Sequence, residues 1–175
     1  PGRLGAFRLD TAVARMAVVD SLLTIDTLGV EWHGGLLGAR GTLGWFAPHE
    51  GQMELVAQFD SLRAFDSLLV ATLGLGPDSA AAGLEGQGRL DFSLSGSLDS
   101  LVASGFAGAS QLRFRGARLN SLSATFGWAG GARPRLSLQM LADTIAAGGL
   151  VATNARVGAL GWSDSLEWSG SFESG

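Results

Sequence analysis

The residues that could do chemistry in this sequence are few, and their spacing does not match a known catalytic or metal-binding set. The chain has two histidines, His33 and His49, and no cysteine. His33 lies two residues after Glu31, so both would share the polar face of one strand. No HxH, HExxH or carboxylate cluster adds a third ligand. We therefore expect solvated surface histidines, no bound metal and no cofactor.

Serine and glycine motifs give no better evidence for catalysis. Serines are abundant, but none stands in a Gly-x-Ser-x-Gly elbow before a helix. Gly86-Gln87-Gly88 begins like a dinucleotide-binding loop, yet a strand-like run follows it where that loop needs a helix. The sequence therefore predicts a protein that is not an enzyme.

Composition limits the class of protein further. The chain has 175 residues, of which 46% are apolar and 16% are charged, and this balance indicates a folded domain. Its net charge is −4 and it has no basic run, so we expect no nucleic-acid partner. No apolar stretch approaches the ~20 residues of a membrane-spanning helix. Because the sequence starts at Pro1 and not at Met, we expect a fragment of a longer chain.

Short runs of alternating apolar and polar residues recur along the chain. In the clearest run, Leu90, Phe92 and Leu94 would face one side of a strand, while Arg89 and Asp91 would face the other. A period of two over about five to eight residues is typical of strands buried on one face, as in antiparallel sheets. We therefore predict a mainly antiparallel all-β fold. Similar runs are Leu28/Val30/Trp32, Met53/Leu55/Ala57/Phe59, Leu112/Phe114, Leu122/Ala124/Phe126/Trp128, Leu136/Leu138/Met140 and Leu166/Trp168.

The repeated tripeptide Asp-Ser-Leu predicts tight turns between these strands. Asp, Asn and Ser side chains bond to nearby backbone groups in turns, and the Leu would start the next strand. The copies begin at Asp20, Asp60, Asp66, Asp99 and Asp164, with a near copy at Asn120.

One segment departs from the alternation. Between Ser61 and Leu75, apolar residues recur three and four positions apart, which predicts a short amphipathic helix over 62–73. The chain then divides into an N-terminal β segment (1–60), a short helix and linker (61–85) and a C-terminal β segment (86–175). We expect the two β segments to form one continuous groove.

The apolar strand faces allow two architectures. In one, a long twisted sheet with one short helix curls into an open apolar groove. In the alternative, the faces close on each other as a β-sandwich core. Five Trp and nine Phe with no Tyr make the aromatic surface free of hydroxyl groups. The residues predicted to line such a groove are Leu90, Phe92, Leu94, Leu112, Phe114, Leu122, Phe126, Leu136, Leu138, Met140, Leu166 and Trp168.

Residues 84–99, LEGQGRLDFSLSGSLD, resemble a G-x-L-x-x-x-L-x-G-x-L-D phrase of the AsmA-like superfamily, especially its translocation-and-assembly-module (TamB-like) branch. Residues 59–69 are similar to the helix that often precedes this phrase. The likeness extends over residues 59–175, although Ser100 stands where the phrase often has Pro. The strands that follow the phrase are similar at 103–108 and 119–124.

The resemblance implies a lipid-conducting protein of the cell envelope. Members of the family are anchored in the inner membrane of diderm bacteria, cross the periplasm and contact an outer-membrane assembly barrel. For this chain it implies a periplasmic lipid-conduit segment that supports outer-membrane biogenesis. The implied partners are phospholipid, that barrel and the inner-membrane anchor of the parent chain. The alternative is a structural or adhesive β-module of a large cell-envelope or secreted protein.

Overall fold

Eleven strands make up most of the described chain. The computed structural model describes residues 2–4, 7–46, 48–65, 84–114, 116–162 and 164–174. The strands are β1 (Gly2–Leu4), β2 (Phe7–Val19), β3 (Leu22–Trp32), β4 (Gly35–Gly44), β5 (Gly51–Phe59), β6 (Glu85–Gly96), β7 (Val102–Phe114), β8 (Ala117–Ala129), β9 (Arg135–Ala147), β10 (Leu150–Trp162) and β11 (Ser165–Ser174). Two short 3-10 helices occur at Leu62–Phe65 and Leu98–Ser100 within these residues.

Each strand pairs with the next strand in the sequence, and every pair is antiparallel. β1 and β11 form the two edges and do not pair with each other, so the described sheet is open. Near the start of β5, Gly44 bridges in parallel to Ser97, which follows β6. Strands on either side of β5 therefore approach each other as the sheet bends. The prediction of an antiparallel all-β fold in the form of a curled open sheet is confirmed.

Cross-strand register aligns the apolar positions of successive strands. Residues that stand directly opposite each other on successive strands form rows across the sheet. Three adjacent rows contain one residue from each of the ten strands β2 to β11, and a fourth row runs from β2 to β10. Every position in the four rows is apolar or glycine. We call this surface the apolar face. The middle one of the three rows that extend from β2 to β11 is called the central row. The central row is Ala14, Leu28, Ala39, Leu55, Phe92, Gly105, Phe126, Leu138, Ala159 and Trp168.

The strands are longer than the sequence predicted. Strands β2 to β11 contain 9 to 13 residues each, and the expectation of five to eight residues is wrong. One reason is a change of phase inside strands: Gln111 in β7 and Asn154 in β10 have left-handed φ angles of 54° and 51°. Such irregularities shift the alternation while the strand continues. The other reason is that Ala and Gly extend the apolar face without a strong apolar signal.

The segment between the two predicted β segments contains a 3-10 helix at Leu62–Phe65. The rest of the predicted helix, from residue 66 onward, lies outside the described residues. β5 pairs with β6 along its whole length, from Gly51 opposite Gly96 to Phe59 opposite Gly88. The segments predicted as 1–60 and 86–175 therefore contribute to one continuous sheet.

The predicted turns differ in outcome. Asp20 and Ser21 form the β2–β3 hairpin turn with positive φ angles of 46° and 64°, as the Asp-Ser-Leu motif predicted. Asp164 lies in the β10–β11 turn and Asp99 in the 3-10 helix between β6 and β7. Asn120 lies inside β8, so the turn predicted there is wrong. Asp60 follows β5, and Asp66 is outside the described residues.

The described sheet is one layer thick, and its apolar face is only partly covered. Most large side chains on this face are half-buried, and the face becomes exposed toward both edges, with Met16 at 55% and Trp168 at 66%. A closed sandwich would bury the large side chains of both inner faces. The buried apolar residues are mostly small: Ile25, Ala39, Met53, Ala57, Ala142 and Ala159. The described residues therefore form an open sheet, as the first of the two predicted architectures requires.

Aromatic pairs lie across glycines of this face. In the central row, Phe92 and Phe126 stand on either side of Gly105, with ring centroids 6.3 Å apart. A Cβ on Gly105 would lie 2.5 Å from the Phe92 Cβ and 2.5 Å from the Asp91 carbonyl oxygen. Because Gly105 has no side chain, the rings of Phe92 and Phe126 can approach each other across β7. The two rings then fill the space above Gly105.

We expect Gly105→Ala to lower the free energy of unfolding by about 1–3 kcal/mol, because the added methyl group overlaps fixed backbone and forces a local shift. The matched control is Gly29→Ala in β3, where a Cβ would meet nothing within 4 Å. That variant should be as stable as the wild type or slightly more stable. Denaturant titration of the two variants measures the difference. Equal stabilities would contradict this account of the packing around Gly105.

Candidate functional site

The apolar face contains ten of the twelve residues that the sequence predicted for a lipid groove. Phe92, Phe126, Leu138 and Trp168 lie in the central row itself. The others occupy the neighbouring rows: Leu90, Leu94, Leu122, Leu136, Met140 and Leu166. Residues that are distant in sequence are therefore brought together on one surface.

Leu112 and Phe114 lie beyond the irregularity at Gln111 and outside the four rows. Leu112 stands opposite Leu119 of β8, and Phe114 stands opposite Ala117. Both are half-buried. They form an apolar extension of β7 at the end of the sheet where β8 begins.

The large side chains of the apolar face are accessible to a ligand. Of the ten candidates on this face, the eight from Leu90 to Met140 are half-buried, whereas Leu166 and Trp168 on the edge strand are 36% and 66% exposed. The face has no hydrogen-bonding side chain except the Trp indole N–H groups. It can therefore bind a ligand by burying apolar surface, with little requirement for a particular orientation.

Part of this surface carries too weak an apolar alternation in the sequence to be predicted from it. Met16 of β2 is an exposed member of the face, and Val157 of β10 is 41% exposed on it. In β10 the neighbouring face positions are Ala155, Ala159 and Gly161, which give a weak apolar alternation. In β10, Gly161, Ala159 and Val157 stand opposite Leu136, Leu138 and Met140 of β9. The strong alternation in β9 could therefore have indicated that a strand with small face residues follows it.

Charged side chains lie on the opposite face of the sheet, which we call the outer face. Arg40 donates from Nε and Nη2 to Glu54 Oε2 at 2.9 and 2.7 Å. Arg89 donates to both carboxylate oxygens of Asp91 at 2.6 and 2.8 Å. This hydrogen bond, with the attraction between the charges, lowers the pKa of Asp91 and raises the pKa of Arg89. These pairs are exposed to solvent, so we assign them little stabilising effect.

The two histidines lie at opposite ends of the strands and do not form a shared site. His33 lies in the turn after β3, and the prediction that it shares a strand face with Glu31 is wrong because the strand ends at Trp32. His49 precedes β5 at the other end of the sheet, and both side chains are exposed. No group of three His, Asp or Glu residues that could hold a metal ion occurs among the residues that the structure describes.

Two further observations bear on the class of protein. In the described part of the chain, no helix has the length and apolar character needed to cross a membrane. No protein-family model, curated protein or solved structure matches this chain. The resemblance to AsmA-like proteins therefore stays a prediction, and functional inference rests on the geometry of the sheet.

Thiol labelling can test whether the apolar face is open in solution, because the wild-type chain has no cysteine. We expect Val157→Cys to react rapidly with a maleimide and Leu138→Cys to react measurably without denaturant, since labelling requires access to solvent. Ala57→Cys is the control: Ala57 is 3% exposed and should react slowly. If all three positions were equally protected, another layer would have to cover the face.

Proposed function

We propose that this chain is a non-enzymatic segment of a lipid conduit that carries phospholipid acyl chains along its apolar face. The observation that supports this most directly is the uninterrupted set of apolar rows, which continues across ten strands and is only half-buried. Exposed apolar surface of this extent is unusual in a soluble protein and marks a binding surface.

The dimensions of the face suit acyl chains. A row of ten residues spans nine strand spacings of about 4.8 Å, or roughly 43 Å. The four rows are about 6.7 Å apart along the strands and together extend over roughly 20 Å. The hydrocarbon of one membrane leaflet is about 15 Å thick, so the face has room for acyl chains along its length.

The energetic requirement for a conduit is large but needs no catalytic group. Each methylene group exposed to water costs about 0.8 kcal/mol, so a sixteen-carbon chain faces a barrier on the order of 12 kcal/mol in water. A continuous apolar surface removes most of this barrier by keeping the chain in contact with side chains. Leu, Met and Phe contacts are nondirectional, so a lipid can shift along the face without breaking hydrogen bonds.

The cellular setting of this proposal comes from the resemblance to AsmA-like proteins. We propose a periplasmic location, with the chain tethered to the inner membrane through other parts of a parent protein. In that setting the segment would move phospholipid between the inner and outer membranes and support outer-membrane biogenesis. An outer-membrane assembly barrel would be its protein partner.

The second candidate is a structural or adhesive β-module of a large envelope protein. Such a module would need its apolar face covered, since exposed apolar surface promotes aggregation. The half-buried rings of Phe92 and Phe126 favour the conduit over a module whose apolar face is covered by this chain itself.

A charge placed in the central row distinguishes these two candidates. We expect Phe92→Arg to fold with a modest loss of stability, because the guanidinium group of a half-buried position can reach water. It should also interrupt lipid movement past that point. The matched control is Phe106→Arg, since Phe106 is 41% exposed on the outer face beside Asp91. Thermal melting measures folding, and photo-crosslinking of a lipid probe at Leu94 and Leu138 measures lipid contact.

Phe106→Arg should crosslink as the wild type does, whereas Phe92→Arg should lose most of the signal. A folded Phe92→Arg variant that crosslinks as well as the wild type would rule out a conduit at this position. If Phe92→Arg failed to fold while Phe106→Arg folded, a covered core and the structural module would be favoured instead, because an unpaired buried charge costs several kcal/mol.

A further inference from the structure

A cavity of about 660 Å³ lies where β6 begins, β7 ends and β8 begins. Three arginines line it, Arg63, Arg113 and Arg118, together with the carboxylates of Asp60 and Glu85. Among the described residues that line it, the cavity therefore has one more positive than negative charge, in a chain whose net charge is −4. We call it the arginine cavity.

The arginines of this cavity are not fully neutralised by neighbouring carboxylates. Glu85 accepts a hydrogen bond from Arg63 and also lies 3.6 Å from Arg113 Nη1, so two guanidinium groups share one carboxylate. Arg118 has no ion pair among the described residues. By contrast, Arg40 and Arg89 elsewhere in the sheet each have a carboxylate of their own.

The sheet register places two of these positive charges side by side. Arg113 of β7 stands directly opposite Arg118 of β8. Directly opposed residues have Cβ atoms about 4.5–5.5 Å apart, and like charges in that arrangement are destabilising. An anion between the two guanidinium groups would relieve this repulsion, and a phosphate can accept paired hydrogen bonds from each group.

Apolar residues adjoin this charge pair. Leu112 stands opposite Leu119, one position along from Arg113 and Arg118 on the same two strands. Both leucines line the arginine cavity, and Leu119 stands opposite Ile145 of β9. Neighbouring residues of a strand point to opposite faces, so these leucines lie on the other face from Arg113 and Arg118, but all four residues line the one cavity at this end of the strands.

We infer that the arginine cavity binds a phosphate group, and that in the conduit this group is the phosphate of an amphipathic lipid whose acyl chains reach the leucines that line the same cavity. The second half of this inference rests on the proposed lipid function. The first half does not, because a free phosphate has the same chemistry and would use the same guanidinium groups.

Two lipids that differ only in the head group test the inference. The 175-residue wild-type chain is titrated with dioleoylphosphatidylglycerol and with dioleoylglycerol, which has the same acyl chains and no phosphate. We expect tighter binding of the phospholipid. In Arg113→Gln/Arg118→Gln, its affinity should fall roughly fivefold, the effect expected from the loss of two solvent-exposed ion pairs. Binding of dioleoylglycerol should not change.

The matched control is Arg15→Gln/Arg156→Gln, which removes the same charge from two exposed positions away from the cavity. It should keep the wild-type affinity for both lipids. Arg118→Gln alone should melt at or above the wild-type temperature, because it removes a like-charge contact; a merely structural arginine would lower the melting temperature. A phospholipid affinity for Arg113→Gln/Arg118→Gln within twofold of the wild type would overturn the lipid-head-group assignment.

Titration with inorganic phosphate separates the inference from the proposed function. If the wild type bound neither lipid, the conduit would be contradicted. Saturable phosphate binding that is lost in Arg113→Gln/Arg118→Gln would then support an anion site for free phosphate. Absence of saturable phosphate binding, together with equal lipid affinities in all variants, would overturn the site itself.

Discussion

The antiparallel register between successive strands is the constraint on which the rest of this structure depends. Every strand from β2 to β10 satisfies its backbone groups through the strands before and after it in the sequence. A slip of one residue at any interface would turn that strand's apolar residues to the outer face. At all nine interfaces from β2 to β11 the register places apolar residues of one strand opposite apolar residues or glycines of the next. The apolar positions of the ten strands therefore form one continuous surface. The function proposed here is a property of that alignment and of no single residue.

A single-layer sheet has no second layer to form a core with. The side chains of its apolar face therefore have to pack against side chains of other strands in the same sheet. The Trp32–Phe59 and Phe92–Phe126 ring pairs, with centroids 5.9 and 6.3 Å apart, do this across the glycines that separate them in the register. Each ring gains contacts that a second layer would otherwise provide, while its outward surface stays accessible. The same arrangement stabilises the sheet and keeps the surface continuous. Stability and ligand access therefore do not compete strongly on this face.

The sequence could predict the fold class and most of the candidate surface because strong alternation, as at Leu90/Phe92/Leu94, depends only on local period. It could not predict β4 or β10, whose face positions include Gly35, Ala39, Ala155 and Ala159 and carry little hydrophobic signal. Strand lengths were underestimated where Gln111 and Asn154 change the phase. The choice between an open groove and a closed sandwich was also beyond the local pattern, because it depends on whether strands pair only with their sequence neighbours. The arginine cavity needed the register as well, since Arg113 and Arg118 are ordinary surface residues until β7 and β8 place them opposite each other.

The separation of charge from the apolar face has a consequence for selectivity. A surface of Leu, Phe, Met and Ala distinguishes ligands mainly by the apolar area that they bury, and acyl chains of similar length differ little in that respect. Selection among lipids therefore has to occur where the apolar surface meets charged side chains. In the described residues the ion pairs of Arg40 and Arg89 lie on the outer face, out of reach of a chain on the apolar face. The arginine cavity differs because Leu112 and Leu119, which alternate with Arg113 and Arg118 along β7 and β8, line the same cavity as these arginines. A conduit built in this way would conduct acyl chains with little discrimination and would recognise head groups at one end of its strands.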